Sequence, residues 1–131
     1  MAKRKLKIHF RIPKYDAPRN QWRRLIYDAA CTAMQAQHVV YQPNDFLAVS
    51  LVLYLDGSAL GIHDVDNRLK DVLDALQGRI GGPKIVRQCE PLIANDRQIY
   101  RVTVSKMLPP RQSRALGHVT ISRCTEQSFA R

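Results

Sequence analysis

Cysteine, aromatic residues and acidic residues are all scarce in this chain, and each shortage removes a class of function. Cys31, Cys89 and Cys124 are odd in number and far apart. No CxxC or Cys/His ligand spacing occurs, so neither a disulfide framework nor a zinc site is expected, only small thiols in a reducing cytosol. Aromatic residues make up 7% of the chain. Exposed aromatic pairs that would stack on single-stranded bases are missing, which ranks RNA binding last. No apolar run reaches the length of a membrane span; the longest, Phe46 to Leu55, is interrupted by Ser50. The basic start, Met1 to Lys5, leads into alternating residues and not a signal-peptide core. The expectation is a cytoplasmic protein without a membrane partner. Internal repeats and low-complexity segments are also lacking.

What is present is basic charge. The 131 residues carry 21 Lys plus Arg against 11 Asp plus Glu, a net charge of +10. Such an excess favours an anionic partner, nucleic acid before membrane surface. Its distribution says more: residues 1–24 hold nine basic and one acidic side chain, residues 97–131 seven and one, residues 25–96 five and nine. An acidic centre between basic ends suits a site that collects cations while its surroundings collect phosphate. With 45% hydrophobic residues the chain should fold as one domain, 1–131, around one core.

Periodicity predicts an α/β (α+β) fold, a small mixed sheet with two main helices packed on it. Lys5 to Ile12 alternates, with Leu6, Ile8, Phe10 and Ile12 on one face and a basic row on the other. That row, Lys5, Lys7 and Arg11, either contacts phosphate or keeps an edge strand soluble. Asn20 is placed to cap a helix running to about Gln37, with Trp22, Leu25, Ile26, Ala29, Ala33 and Met34 as its buried stripe. Arg23 and Arg24, beside that stripe, read as solvated surface. Phe46 to Leu55 is apolar on both faces and belongs in the middle of a covered sheet. Lys84 to Cys89 suggests a short strand or hairpin arm, and a strand is expected over about Gln98 to Lys106. Val119 and Ile121 suggest one more short, edge-type strand within a partly irregular tail, 109–131.

The stretch from His63 to Gly78 is the centre of the functional reading. Val65, Leu69, Val72, Leu73 and Leu76 form one apolar stripe at helical spacing, and Gly78 is a plausible stop. Asp66, Lys70 and Asp74 are spaced by four along one side. With Asp66 as N-cap and Asp64 on the approach, both carboxylates can face one pocket; the alternatives are a cap with a favourable dipole contact, or a solvated turn. Asp96 sits where a later strand begins. If strand and helix pack together, three carboxylates meet, and a hard divalent cation would neutralise them. Lys70 either steadies developing negative charge there or pairs with Asp66 or Asp74.

The residues Asp64-Val65-Asp66-Asn67-Arg68-Leu69-Lys70, then Asp74-Ala75-Leu76, and later Asn95-Asp96-Arg97-Gln98-Ile99 resemble the RusA family of Holliday junction resolvases. The family pattern reads D-x-D-N-x-x-K-x-x-x-D-A-L, then D-D-x-Q-I/V. The resemblance implies a small RusA-like homodimer that nicks opposed strands of four-way DNA junctions in recombination and repair. It implies Mg²⁺, with Mn²⁺ as a substitute, and a prophage context. It assigns Asp64, Asp66 and Asp96 to metal binding and catalysis, Lys70 to catalysis, and Asn67, Asp74 and Asn95 to accessory roles. Lys5, Lys7, Arg11, Lys14, Arg68 and Arg97 would hold DNA. Three features depart from the family. Asn95 replaces an aspartate, the 78–95 connection is longer, and Ile12-Pro13-Lys14-Tyr15 only faintly echoes the usual N-terminal segment. The alternative is a non-catalytic basic DNA-binding module.

Overall fold

The structure, a computed structural model, describes residues 6–13, 18–55, 65–81, 89–109 and 117–124. In chain order these form β1 (Ile8–Ile12), α1 (Arg19–Gln37), β2 (Leu47–Tyr54), α2 (Val65–Leu76), a 3-10 turn at Asp96–Gln98, β3 (Ile99–Met107) and β4 (Gly117–Arg123). The four strands make one mixed sheet in the order β1-β4-β2-β3. β2 and β3 run parallel, so the chain must cross back between them, and α2 lies in that crossover. β4 is antiparallel to both β1 and β2. The α+β architecture with two helices on a mixed sheet is the one the sequence predicts.

One face of the sheet carries the core. Ile8, Phe10 and Ile12 of β1, Leu47, Val49, Leu51 and Leu53 of β2, and Val119 and Ile121 of β4 are buried there. Register stacks them across strands: Ile8 pairs with Ile121, Phe10 with Val119, and Val49 with Ile121. Trp22, Ile26, Ala30 and Met34 from α1, and Val72, Ala75 and Leu76 from α2, close over them. Each buried aliphatic or aromatic side chain contributes roughly 1.5–3 kcal/mol, so this layer dominates the stability.

Four readings are corrected by packing. α1 starts at Arg19, with Pro18 in the N-cap position and no side-chain cap, so Asn20 lies inside the helix. Leu25 is half exposed, and Ala30 takes its place in the buried stripe. β2 is central but covered on one face only; Ala48, Ser50, Val52 and Tyr54 are half-buried on the other. β4 is interior, flanked by β1 and β2, while β1 and β3 are the outer strands.

α2 ends as expected. Gly78 adopts φ 80°, a conformation open to glycine, and an added Cβ would stand 2.2 Å from the Cys89 carbonyl oxygen. The Gly78 and Arg79 amides donate to the Ala75 and Asp74 carbonyls at 3.0 and 2.9 Å, closing the helix. Residues 82–88, and with them most of the expected Lys84–Cys89 arm, lie outside the described residues. No helix among the described residues is long and apolar enough to cross a membrane.

Candidate functional site

The acidic motif divides along α2. Asp66 lies in the first helical turn instead of at the cap, and it is exposed, as are Asn67 and Lys70. Lys70 makes no ion pair with a described residue. Asp64 lies outside the described residues, as do Lys5 and Lys14. Asp74, four residues beyond Lys70, turns under α1: its carboxylate lies 3.2 Å from the Arg23 guanidinium. That contact fixes helix to helix and answers which neighbour Asp74 braces; it is Arg23, not Lys70.

The residue the sequence reading passed over is Asp71, which is fully buried. Arg19 reaches its Oδ1 from Nε at 3.0 Å, and Arg23 reaches the same atom from Nε at 3.1 Å and Nη2 at 2.9 Å. Arg68 Nη2 lies 3.4 Å from Oδ2, with its guanidinium 5.8 Å from the Trp22 ring centroid. A buried carboxylate is tolerated only when charge and hydrogen bonds compensate it; here Arg19 and Arg23 donate the hydrogen bonds, all to Oδ1, and Arg68 adds its charge beside Oδ2. Two corrections follow. Arg68 is buried in this cluster, so it does not offer its guanidinium to DNA as predicted. Arg23, read as solvated, is a helix-to-helix strut. A signal existed in the sequence: Arg19 and Arg23 are four apart beside Trp22, and Asp71 sits next to Val72 within the buried stripe.

The second motif is organised by a capping box. Asn95 is the N-cap of the 3-10 turn; its Oδ1 accepts from the Arg97 amide at 2.8 Å. Gln98 Oε1 accepts from the Asn95 amide at 3.2 Å. Gln98 is 5% exposed, and its Nε2 donates to the carbonyls of Gln42 and Asp45, both at 2.9 Å. One buried amide therefore locks this turn to the loop that leads into β2. Asp96 and Arg97 project to solvent from the turn. Asn caps a helix as well as Asp does, so Asn95 satisfies the local geometry without a charge. Gln98→Leu should lower stability by about 2–3 kcal/mol in urea unfolding, because it strands buried carbonyls and an amide.

The two motifs meet α2 at different ends. The Leu76 carbonyl accepts from the amides of Leu92 and Ile93, at 2.8 and 3.0 Å, and Asp96 follows three residues later. Asp66 lies ten residues ahead of Leu76, about 15 Å along the helix axis. Among the described residues no group of three His, Cys, Asp or Glu side chains is placed to hold a metal ion. An apolar groove of about 500 Å³ lies at the C-terminal end of α1, lined by Met34, His38, Val40, Tyr41, Pro91 and Leu92; none of the candidate carboxylates lines it.

The other predicted contacts are surface residues. Lys7 and Arg11 are exposed on the row opposite the core face of β1, and Arg97 is exposed beside Asp96. Cys31, Cys89 and Cys124 are half-buried free thiols. No protein-family model and no curated protein matches this chain.

Proposed function

We propose that the protein is a metal-dependent, structure-selective endodeoxyribonuclease that acts on branched DNA as a homodimer. The observation that supports this reading is the division of labour on α2. Asp71 and Asp74 point into the interface between α1 and α2, whereas Asp66, Asn67 and Lys70 of the RusA-like motif are exposed on the first turns. The donor type suits a hard cation: Asp66 offers an exposed carboxylate at the start of α2, and Asp96, beyond the other end of the helix, would join it only through a rearrangement or from the second protomer. Bound there, Mg²⁺ would polarise a phosphoryl oxygen and help generate hydroxide from water. Lys70, one turn beyond Asp66, would then lie beside the charge that develops on the phosphate. Asn95 serves as a cap, with its amide oxygen already accepting from Arg97.

A second reading, a non-catalytic DNA-binding module, is favoured by the placement of Asp66 and of the segment before Asp96 at opposite ends of α2. Cleavage of a synthetic four-way junction separates the two. The nuclease reading expects paired nicks with Mg²⁺, none with EDTA, and loss of cutting in Asp66→Asn with junction binding retained. Binding without cutting by the wild type, across Mg²⁺ and Mn²⁺, would leave only the binding module.

A further inference from the structure

The face of the sheet turned away from the helices is built unlike the rest of the surface. Strand register brings its residues into rows. His9 pairs with Thr120, Thr120 with Ser50, and Ser50 with Thr103; Arg11 pairs with His118, and His118 with Val52. Ser122, Ala48 and Arg101 make a third row. Lys7, His9 and Arg11 are exposed along one margin, Arg101 and Thr103 along the other. Side chains are joined across the middle. His9 Nδ1 lies 2.8 Å from Thr120 Oγ1, and Tyr54 Oη lies 2.8 Å from His118 Nε2. The two histidine rings are 5.2 Å apart. Among the described residues on this face there is no carboxylate.

We infer that this open sheet face is a DNA-binding surface, in which the basic β1 margin, the His9–His118 pair and the hydroxyl groups beyond them receive backbone phosphates. The inference takes its partner, DNA, from the reading above and adds the surface that holds it. Four strands at about 4.8 Å spacing separate the margins by roughly 14 Å, so the surface is broad enough for several phosphates. Phosphate contacts of this kind position DNA without reading its sequence, as a structure-selective enzyme requires.

His118 makes the surface pH-dependent. His118 is held below the ordinary histidine range, first by burial and then by the charges of His9 and Arg11. The charged and titratable groups against it are His9 and Arg11 from β1 and Tyr54 from β2, and its row continues through Val52 to Ser105 of β3. A phosphate placed against them reverses that electrostatic opposition, so binding raises the histidine pKa and takes up protons. Affinity must then rise as pH falls through the histidine range.

The test is fluorescence anisotropy with a labelled four-way junction and the full-length protein in EDTA, where cleavage cannot interfere. Wild type should bind about tenfold more tightly at pH ~5.5 than at pH ~7.5, one pKa unit of uptake being worth a factor of ten. The double variant His9→Asn/His118→Asn should lose most of that gain. Lys7→Ala and Arg11→Ala should each flatten the slope of log K against log salt by about 0.9. Thr103→Glu, at an exposed position, should weaken binding at least about tenfold with an unchanged thermal melt. Unchanged salt slopes together with wild-type affinity in Thr103→Glu would overturn the surface, whatever the cleavage assay shows. A pH response that survives removal of both histidines would overturn their part in it. Intact binding behaviour without any Mg²⁺-dependent cutting would sink the nuclease reading and leave this one standing.

Discussion

Asp71→Ala is expected to cost more stability than any other single truncation on α2, roughly 3–5 kcal/mol, although Asp71 belongs to no catalytic motif. The cause is what remains afterwards. Arg68 is 8% exposed and Arg23 is nearly buried, and both point at the Asp71 carboxylate. Removing that group takes from both guanidiniums the carboxylate they share in the interface between α1 and α2. The desolvation of the arginines persists while their main partner is gone, which is why breaking a buried ion pair costs far more than the pair itself contributes. For a domain of 131 residues such a loss should lower the melting temperature by about 10–20 °C, measured by circular dichroism. Asp66→Ala on the same helix, at an exposed position, should stay within about 0.5 kcal/mol of wild type. An Asp71→Ala protein that melts within a few degrees of wild type would show that water or Asp74 takes over the arginines. Replacing Asp71, Arg23 and Arg68 together with apolar residues of similar size should recover most of the loss, because the cluster specifies how the helices dock more than it adds net stability.

The contrast between Asp71 and Asp66 also marks where the sequence stops being informative. The alternation of Lys5 to Ile12 gives the β1 core face directly, because a strand turns each successive side chain over and only one set can be apolar. The stripe through Val72 and Leu76 and the stop at Gly78 are legible for a similar reason, a period fixed by the helix and a backbone angle open to glycine. Periodicity weights residue types by average habit, however, and the average aspartate is solvated. Asp71 is not, since two of its three arginines come from α1, some fifty residues away, and the local signals, the Arg19–Arg23 spacing and Arg68 three residues before it, do not show that they converge. The interior position of β4 is hidden for the same reason. A short strand is read as an edge until its neighbours are known, and β4 is placed between β1 and β2 by long-range register. The candidate site is legible as a list of residues and not as a place. Spacing along α2 orders Asp66, Lys70 and Asp74, but the surroundings of Asp96 follow from the Gln98 anchor and from the contact of Leu92 and Ile93 with the end of α2.

Neighbouring substitutions in the 3-10 turn should therefore have opposite consequences. Asn95→Asp keeps the cap, because a carboxylate oxygen accepts from the Arg97 amide as the Asn95 amide oxygen does, and Asp and Asn are equivalent caps. Thermal stability should be unchanged within about 0.5 kcal/mol. The variant restores the acidic pair of the RusA-like pattern and should match or exceed wild-type cleavage at limiting Mg²⁺. Asp96→Asn also leaves the fold intact, since Asp96 is exposed and the turn is held by Asn95 and Gln98. It should nevertheless abolish cleavage if its carboxylate helps hold the cation. Metal stabilisation of the transition state is worth several kcal/mol, and at 1.36 kcal/mol per decade its loss slows cutting at least about 100-fold. The measurement is single-turnover cleavage of a four-way junction across a Mg²⁺ titration, with binding followed separately in EDTA. Full loss in Asp66→Asn but wild-type rates in Asp96→Asn would confine the metal pocket to the start of α2, at Asp66. Equal losses in both would mean that carboxylates from the two ends of one helix serve a single reaction, with Asp96 brought to Asp66 by a rearrangement or supplied by the second protomer.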